Sequence, residues 1–120
     1  MIGKHTWIFA DGDLPPHPEG LGEPKAHEAL MVVNTGLQDA HLVIDLLFEE
    51  REPLEGLSLM VPGRRVACFR MDKAIWGDGY IIPPGQYALV LQSDVPVVAV
   101  FGRLDRRKDM AYYAVAPYAE

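Results

Sequence analysis

Short segments rich in β-branched and aromatic residues recur along this chain between proline and glycine punctuation, and this limits the folds open to it. They are HTWIFA (5–10), HEALMVVN (27–34), HLVIDLLF (41–48), LSLMVP (57–62), RRVACFRM (64–71), QYALVLQS (86–93), VPVVAVFG (95–102) and AYYAVAP (111–117), eight candidate strands. A helix needs an apolar period of about 3.6 over ten or more residues with capping signals; residues 41–50 can be read with that period but lack the caps. NTG at 34–36, PLEG at 53–56, PGR at 62–64 and SDVP at 93–96 carry the residues of tight turns, so neighbouring strands are expected to be mostly antiparallel. The expected fold is all-β: a single-domain, eight-stranded antiparallel β-sandwich, jelly-roll-like.

A chain of 120 residues buries roughly two-thirds of its unfolded surface, enough for one core. The net charge of −6 argues against a protein built to neutralise duplex phosphates. The one cysteine, Cys68, has no internal disulfide partner, and MIGKHTWIF contains no apolar signal region, which together favour the cytoplasm. The longest apolar run, VPVVAVF, is far below the roughly 18 residues of a membrane-spanning helix, so any membrane role is expected through a partner rather than by insertion.

Several strands are apolar on both faces. VVAVF does not alternate, and HLVIDLLF places Leu42, Ile44, Leu46 and Phe48 on one face while Val43 and Leu47 remain on the other. A small two-layer fold leaves one face of each sheet wet, so the pattern predicts a homo-oligomer that covers at least one outer face. Two long connections, residues 11–26 and 72–85, hold Pro-Pro pairs and aromatic residues and are expected either to cover the sandwich ends or to carry function.

The stretch AHEALMVVNTGLQDAH looks at first like a metal site, with His27, Glu28 and His41. Adjacent strand residues point to opposite faces, so His27 and Glu28 cannot share an ion. A hairpin centred on Gly36 and Leu37 would set His27 opposite Leu46 and His41 opposite Val32, roughly 17 Å apart, which leaves no shared metal. Each histidine then reads first as a hydrogen-bonded strand-end side chain, with ligand binding at the sandwich mouth as the alternative. Cys68 is expected to be a buried, inert thiol, and Trp7 a core residue. Nothing matches a nucleophile elbow, a phosphate loop or a paired-cysteine zinc site, so neither an enzyme nor a cofactor is indicated. GRLDRRKD reads as a solvated loop, with contact to an acidic partner or nucleic acid as the alternative.

Taken in order, WIFADGDLPP, EPKAHE, NTGLQDAH, LMVPGRR, QSDVPVV and GRLDRR resemble the sensory rhodopsin transducer family, over about residues 3 to 117. The resemblance implies an eight-stranded β-sandwich forming a cytoplasmic homotetramer. It also implies a non-enzymatic role, either binding a small molecule such as a sugar or docking a membrane photoreceptor, with weak DNA binding attached to the second. Trp7, Glu23, His27, Glu28, Asn34, His41, Arg64, Arg65, Arg103 and Asp105 match the family's pattern. From these, Trp7 is expected as a stacking surface, His27, Glu28 and Asn34 as hydrogen-bonding groups, and Arg103 as a donor to an anion or hydroxyl. Arg103, Arg106, Arg107, Lys108 and Trp76, with the 72–85 loop, are the expected surface for a partner or nucleic acid. That loop departs from the family pattern.

Overall fold

The computed structural model describes residues 1–16, 26–105 and 109–120. Glu23 and the basic residues Arg106, Arg107 and Lys108 lie outside the described residues.

Eight strands form, in order β1 (Lys4–Leu14), β2 (Ala26–Asn34), β3 (Ala40–Phe48), β4 (Leu54–Val61), β5 (Arg65–Arg70), β6 (Gly85–Asp105), β7 (Ala111–Val115) and β8 (Tyr118–Ala119). All pairings are antiparallel. One layer runs β4-β3-β6-β1-β8 and the other pairs β5, β2, β6 and β7. The strand β6 therefore belongs to both layers. Its first half pairs with β1 and β3, up to Ser93 against Leu42, and its second half pairs with β2 from Val98 against Val33 onward.

SDVP is thus not a turn, and the segments 86–93 and 95–102 are one strand of 21 residues. The proline is tolerated because residues 94–96 lie where the strand leaves one layer and enters the next, and no ladder partner stands opposite Pro96 to miss its N–H. The tight hairpin turn expected at NTG also needs correction. Residues 35–39 do not close a β2–β3 hairpin; they carry the chain from one layer to the other, and 62–64 carries it back. His27 faces Leu104 and His41 faces Met60, on different layers. The cause is the Asn34 carboxamide, which accepts from Gly36 N at 3.1 Å and donates to Gln38 O at 2.6 Å and Val61 O at 3.2 Å, tying an arch across the layers.

The core sits between the layers. Trp7, Phe9, Leu42, Ile44, Leu46, Tyr87, Leu89 and Leu91 from one sheet meet Leu30, Val32, Ala99 and Phe101 from the other, all buried. Phe9 stacks on Phe101 at 5.6 Å and Tyr87 meets Phe101 edge-on at 6.4 Å, so aromatic contacts bridge the layers, each adding about 0.5–1.5 kcal/mol beyond area burial. The 72–85 connection folds back over one end of the core: Met71, Trp76 and Ile82 are buried, and Ile75 and Tyr80 pack against them. Trp76 is therefore a core residue and not the surface aromatic expected, because a two-layer sandwich leaves its open end to be plugged by apolar side chains. Cys68 also departs from expectation. It is exposed, on the outward side of β5 opposite Met31.

Candidate functional site

The strand β2 alternates cleanly near its start. Glu28, Leu30 and Val32 turn into the core while His27 and Met31 turn out. Glu28 is 1% exposed, an ionisable group placed among aromatic side chains, and such a group is costly unless donors surround it. They do. Tyr87 Oη donates to Glu28 Oε1 at 2.6 Å, Arg103 Nε donates to Oε2 at 2.9 Å, and the backbone N–H of Asp13 donates to Oε2 at 2.9 Å. Arg103 is held in turn by Asp11, with Nη1 at 3.0 Å from Oδ1, and its guanidinium lies 5.4 Å from the ring centre of Tyr113.

Four strands supply this cluster, and each has a local reason. Glu28 and Arg103 face each other in the β2–β6 register. A register shift between Phe9 and Gly12 swings the ADGDL end of β1 so that Asp11 meets Arg103 and the Asp13 amide points at Glu28. Tyr87 stands opposite Gly12, where a Cβ would come within 2.5 Å of the phenol ring, so only glycine lets the ring lie flat there. Burial raises the Glu28 carboxyl above its ordinary value, over the opposing pull of Tyr87, the Asp13 amide and Arg103. Burial, and then the neighbouring Glu28 charge, push the Tyr87 phenol well above its ordinary value. With three donors aimed at its two oxygens, Glu28 acts as a lock between the layers.

Among the described residues singled out by sequence, side-chain bonding joins Glu28 and Arg103. Arg103 is 6% exposed and takes no part in an outer basic surface. His27 lies on the outer side of the β5-β2-β6-β7 layer, near the Arg70–Asp72 ion pair. Burial and the Arg70 charge lower its pKa, against the pull of Asp72. Trp7 packs in the core, stacked with Phe9, its indole N–H donating to Val97 O at 3.1 Å. Asn34 sits at the far end of β2, roughly 20 Å from Glu28. Tyr87, Asp11, Asp13 and Gly12 complete the lock but were not singled out as a site. Tyr87 read as one more strand aromatic, and the signal for the others was the ADGD run itself.

A separate cleft of about 510 Å³ opens at the Asn34 end. Its walls are the 34–38 arch, the sheet-switching residues Val95 and Pro96, and the first two residues of the chain. The outer side of the β5-β2-β6-β7 layer is the third notable surface: Val66, Val100 and Tyr112 are exposed there beside Met31 and Cys68, and the Tyr112 hydroxyl and the Met31 methyl converge over Gly102. Among the described residues no group of three or more histidine, cysteine or acidic side chains is placed to hold a metal ion, and no helix is long and apolar enough to cross a membrane.

Fold and site together define a small antiparallel β-sandwich whose central charges hold its own two layers together. The family model described as Anabaena sensory rhodopsin transducer matches residues 2–119, and the chain belongs to that family. Among solved structures, the crystal structure of Thermotoga maritima 1070 is similar with a TM-score of 0.82 and 29% identity, covering 100% of this chain and 97% of that one. The Anabaena sensory rhodopsin transducer is similar with a TM-score of 0.77 and 37% identity, covering 88% of this chain and 92% of that one. No curated protein matches the chain.

Proposed function

We propose that this protein is a non-enzymatic, self-associating signalling module of the cytoplasm that binds a small molecule in the cleft at the Asn34 end. The cleft carries the reading. Its volume of about 510 Å³ lies within the range of small-molecule sites. Its walls include the two segments, 34–38 and 95–96, that connect the layers, so a ligand there touches both connections at once. Binding is then coupled to how the layers sit on each other, which is the link a transducer needs. Glu28, 1% exposed and held by three internal donors, supports a binding role over catalysis, because an acid or base must reach its substrate.

Thermal melting against sugars, related metabolites and small organic acids tests this. A true ligand at about a hundred times its Kd adds roughly 2.7 kcal/mol of stability. Leu37→Ser and Ile2→Ser, at exposed apolar wall positions, should weaken the effect without loss of fold. A panel that shifts nothing would overturn the cleft.

A second reading, docking to a membrane photoreceptor, is favoured by family membership and by the exposed apolar side chains Val66, Val100 and Tyr112 on one outer face. The same face would serve self-association into a tetramer. A genome without a retinal-protein gene would remove the photoreceptor reading.

A further inference from the structure

Resting on the cleft reading, we infer that the ligand class is an amphipathic carboxylate, with its apolar body between the cleft walls and its anionic end held by Arg64. No wall side chain is charged and none is aromatic; Ile2, Leu37, Val95 and Pro96 give the apolar contact. A sugar wants a flat ring to stack on and several fixed polar partners. Trp7, the ring that sequence offered, is in the core, and both ends of the Asn34 carboxamide are engaged by the arch. These walls suit a hydrocarbon better.

The charge comes from one residue behind the wall. Arg64 Nη1 donates to the carbonyl of Thr35 at 2.7 Å, and the Arg64 backbone N–H donates to Gly36 O at 2.9 Å; Thr35 and Gly36 are both wall residues. The preceding Gly63 packs so tightly on the arch that a Cβ there would come within 2.3 Å of Leu37 O. Arg64 itself has φ 59, in the left-handed region that side chains other than glycine rarely adopt. Residues held in that region against their preference cluster at ligand clamps. Here the turn fixes the guanidinium at the Thr35 carbonyl, next to the cleft wall though not itself part of it. Among the described residues Arg64 has no carboxylate partner, and Asp39 of the facing turn accepts from Gly63 N instead. A guanidinium has five N–H donors in a planar fork, so one bond to Thr35 leaves a pair free for a carboxylate.

Titration calorimetry with 3-phenylpropionate and its neutral amide separates charge from shape. The wild-type protein should bind the acid at least about tenfold more tightly than the amide, as a charge-assisted bond requires. Arg64→Gln keeps a donor for the Thr35 carbonyl but removes the charge, so it should bring the acid down to the amide's affinity and leave the amide unchanged. Arg65→Gln, an equal loss of charge at an exposed neighbour, should preserve the preference. Equal affinity for acid and amide in the wild type, a preference that survives Arg64→Gln, or binding of sugars alone would overturn this inference and leave the cleft standing. If acid, amide and sugars all fail to bind, both readings fall.

Discussion

Replacing Glu28 with alanine strips the acceptor from three groups at once. Tyr87 Oη, Arg103 Nε and the Asp13 amide lose bonds of 2.6, 2.9 and 2.9 Å. Hydrogen bonds to a charged group contribute about 1.5–3 kcal/mol each, which sets a ceiling well above what will be measured. Two effects reduce it. Arg103 keeps Asp11 at 3.0 Å, and the Asp11 side chain, 52% exposed, keeps that end of the guanidinium near water. Removing one partner of a buried ion pair costs about 3–5 kcal/mol, and that range is the expectation here. For a 120-residue domain it corresponds to a fall in Tm of about 12–20 °C. Urea unfolding followed by fluorescence suits the assay, because Trp7 in the core and Trp76 in the folded-back connection are both buried. A loss below about 1 kcal/mol, with the midpoint hardly moved, would refute the claim that this carboxylate locks the layers. A cycle with Tyr87→Phe adds a second check, since two groups sharing one bond should couple by about 0.5–3 kcal/mol and strict additivity would contradict the shared bond.

Tyr87 should make the protein sensitive to alkali: its folded pKa is raised above the ordinary 10.0, so the native state holds a proton that the unfolded chain releases, and this contribution, full below pH 10, is lost as pH rises further. Denaturant midpoints measured above pH 10 should fall less steeply for Tyr87→Phe than for the wild type. Gly63→Ala should lower stability by about 1–3 kcal/mol in a thermal melt, because its Cβ meets backbone at Leu37 and one of the two turns must shift. Val66→Glu together with Val100→Glu should shift a self-associated species to monomer in light scattering while the melting temperature of the subunit fold changes little, and a wild type already monomeric at micromolar concentration would overturn the self-association reading.

The strand segments were legible because period-two patterning and turn residues are local properties, and the opposed faces of His27 and Glu28 follow from the same alternation. What escaped was which strands pair. NTG and PGR carry hairpin chemistry, yet Asn34 uses its carboxamide to build a crossover, and nothing in the three letters distinguishes the two uses. SDVP looks like a turn because proline usually interrupts a ladder; here it occupies the stretch where the ladder changes partners. Arg103 read as part of a basic run, but the register sets it opposite Glu28, a contact between residues 75 apart that no local pattern announces. Trp76 read as an exposed loop aromatic for the same reason: the fold-back that buries it is tertiary.

The long shared strand has a further consequence. A straight strand of 21 residues would reach roughly 70 Å, whereas the longest dimension of the molecule is 42 Å. The strand must therefore curve back on itself, and Tyr87 and Arg103, sixteen positions apart on it, end on the same carboxylate. It has the shape of a clip: the bend lies beside the cleft at Val95 and Pro96, and the two arms meet at Glu28 at the opposite end. One continuous backbone therefore joins the wall of the cleft to both side chains that hold Glu28.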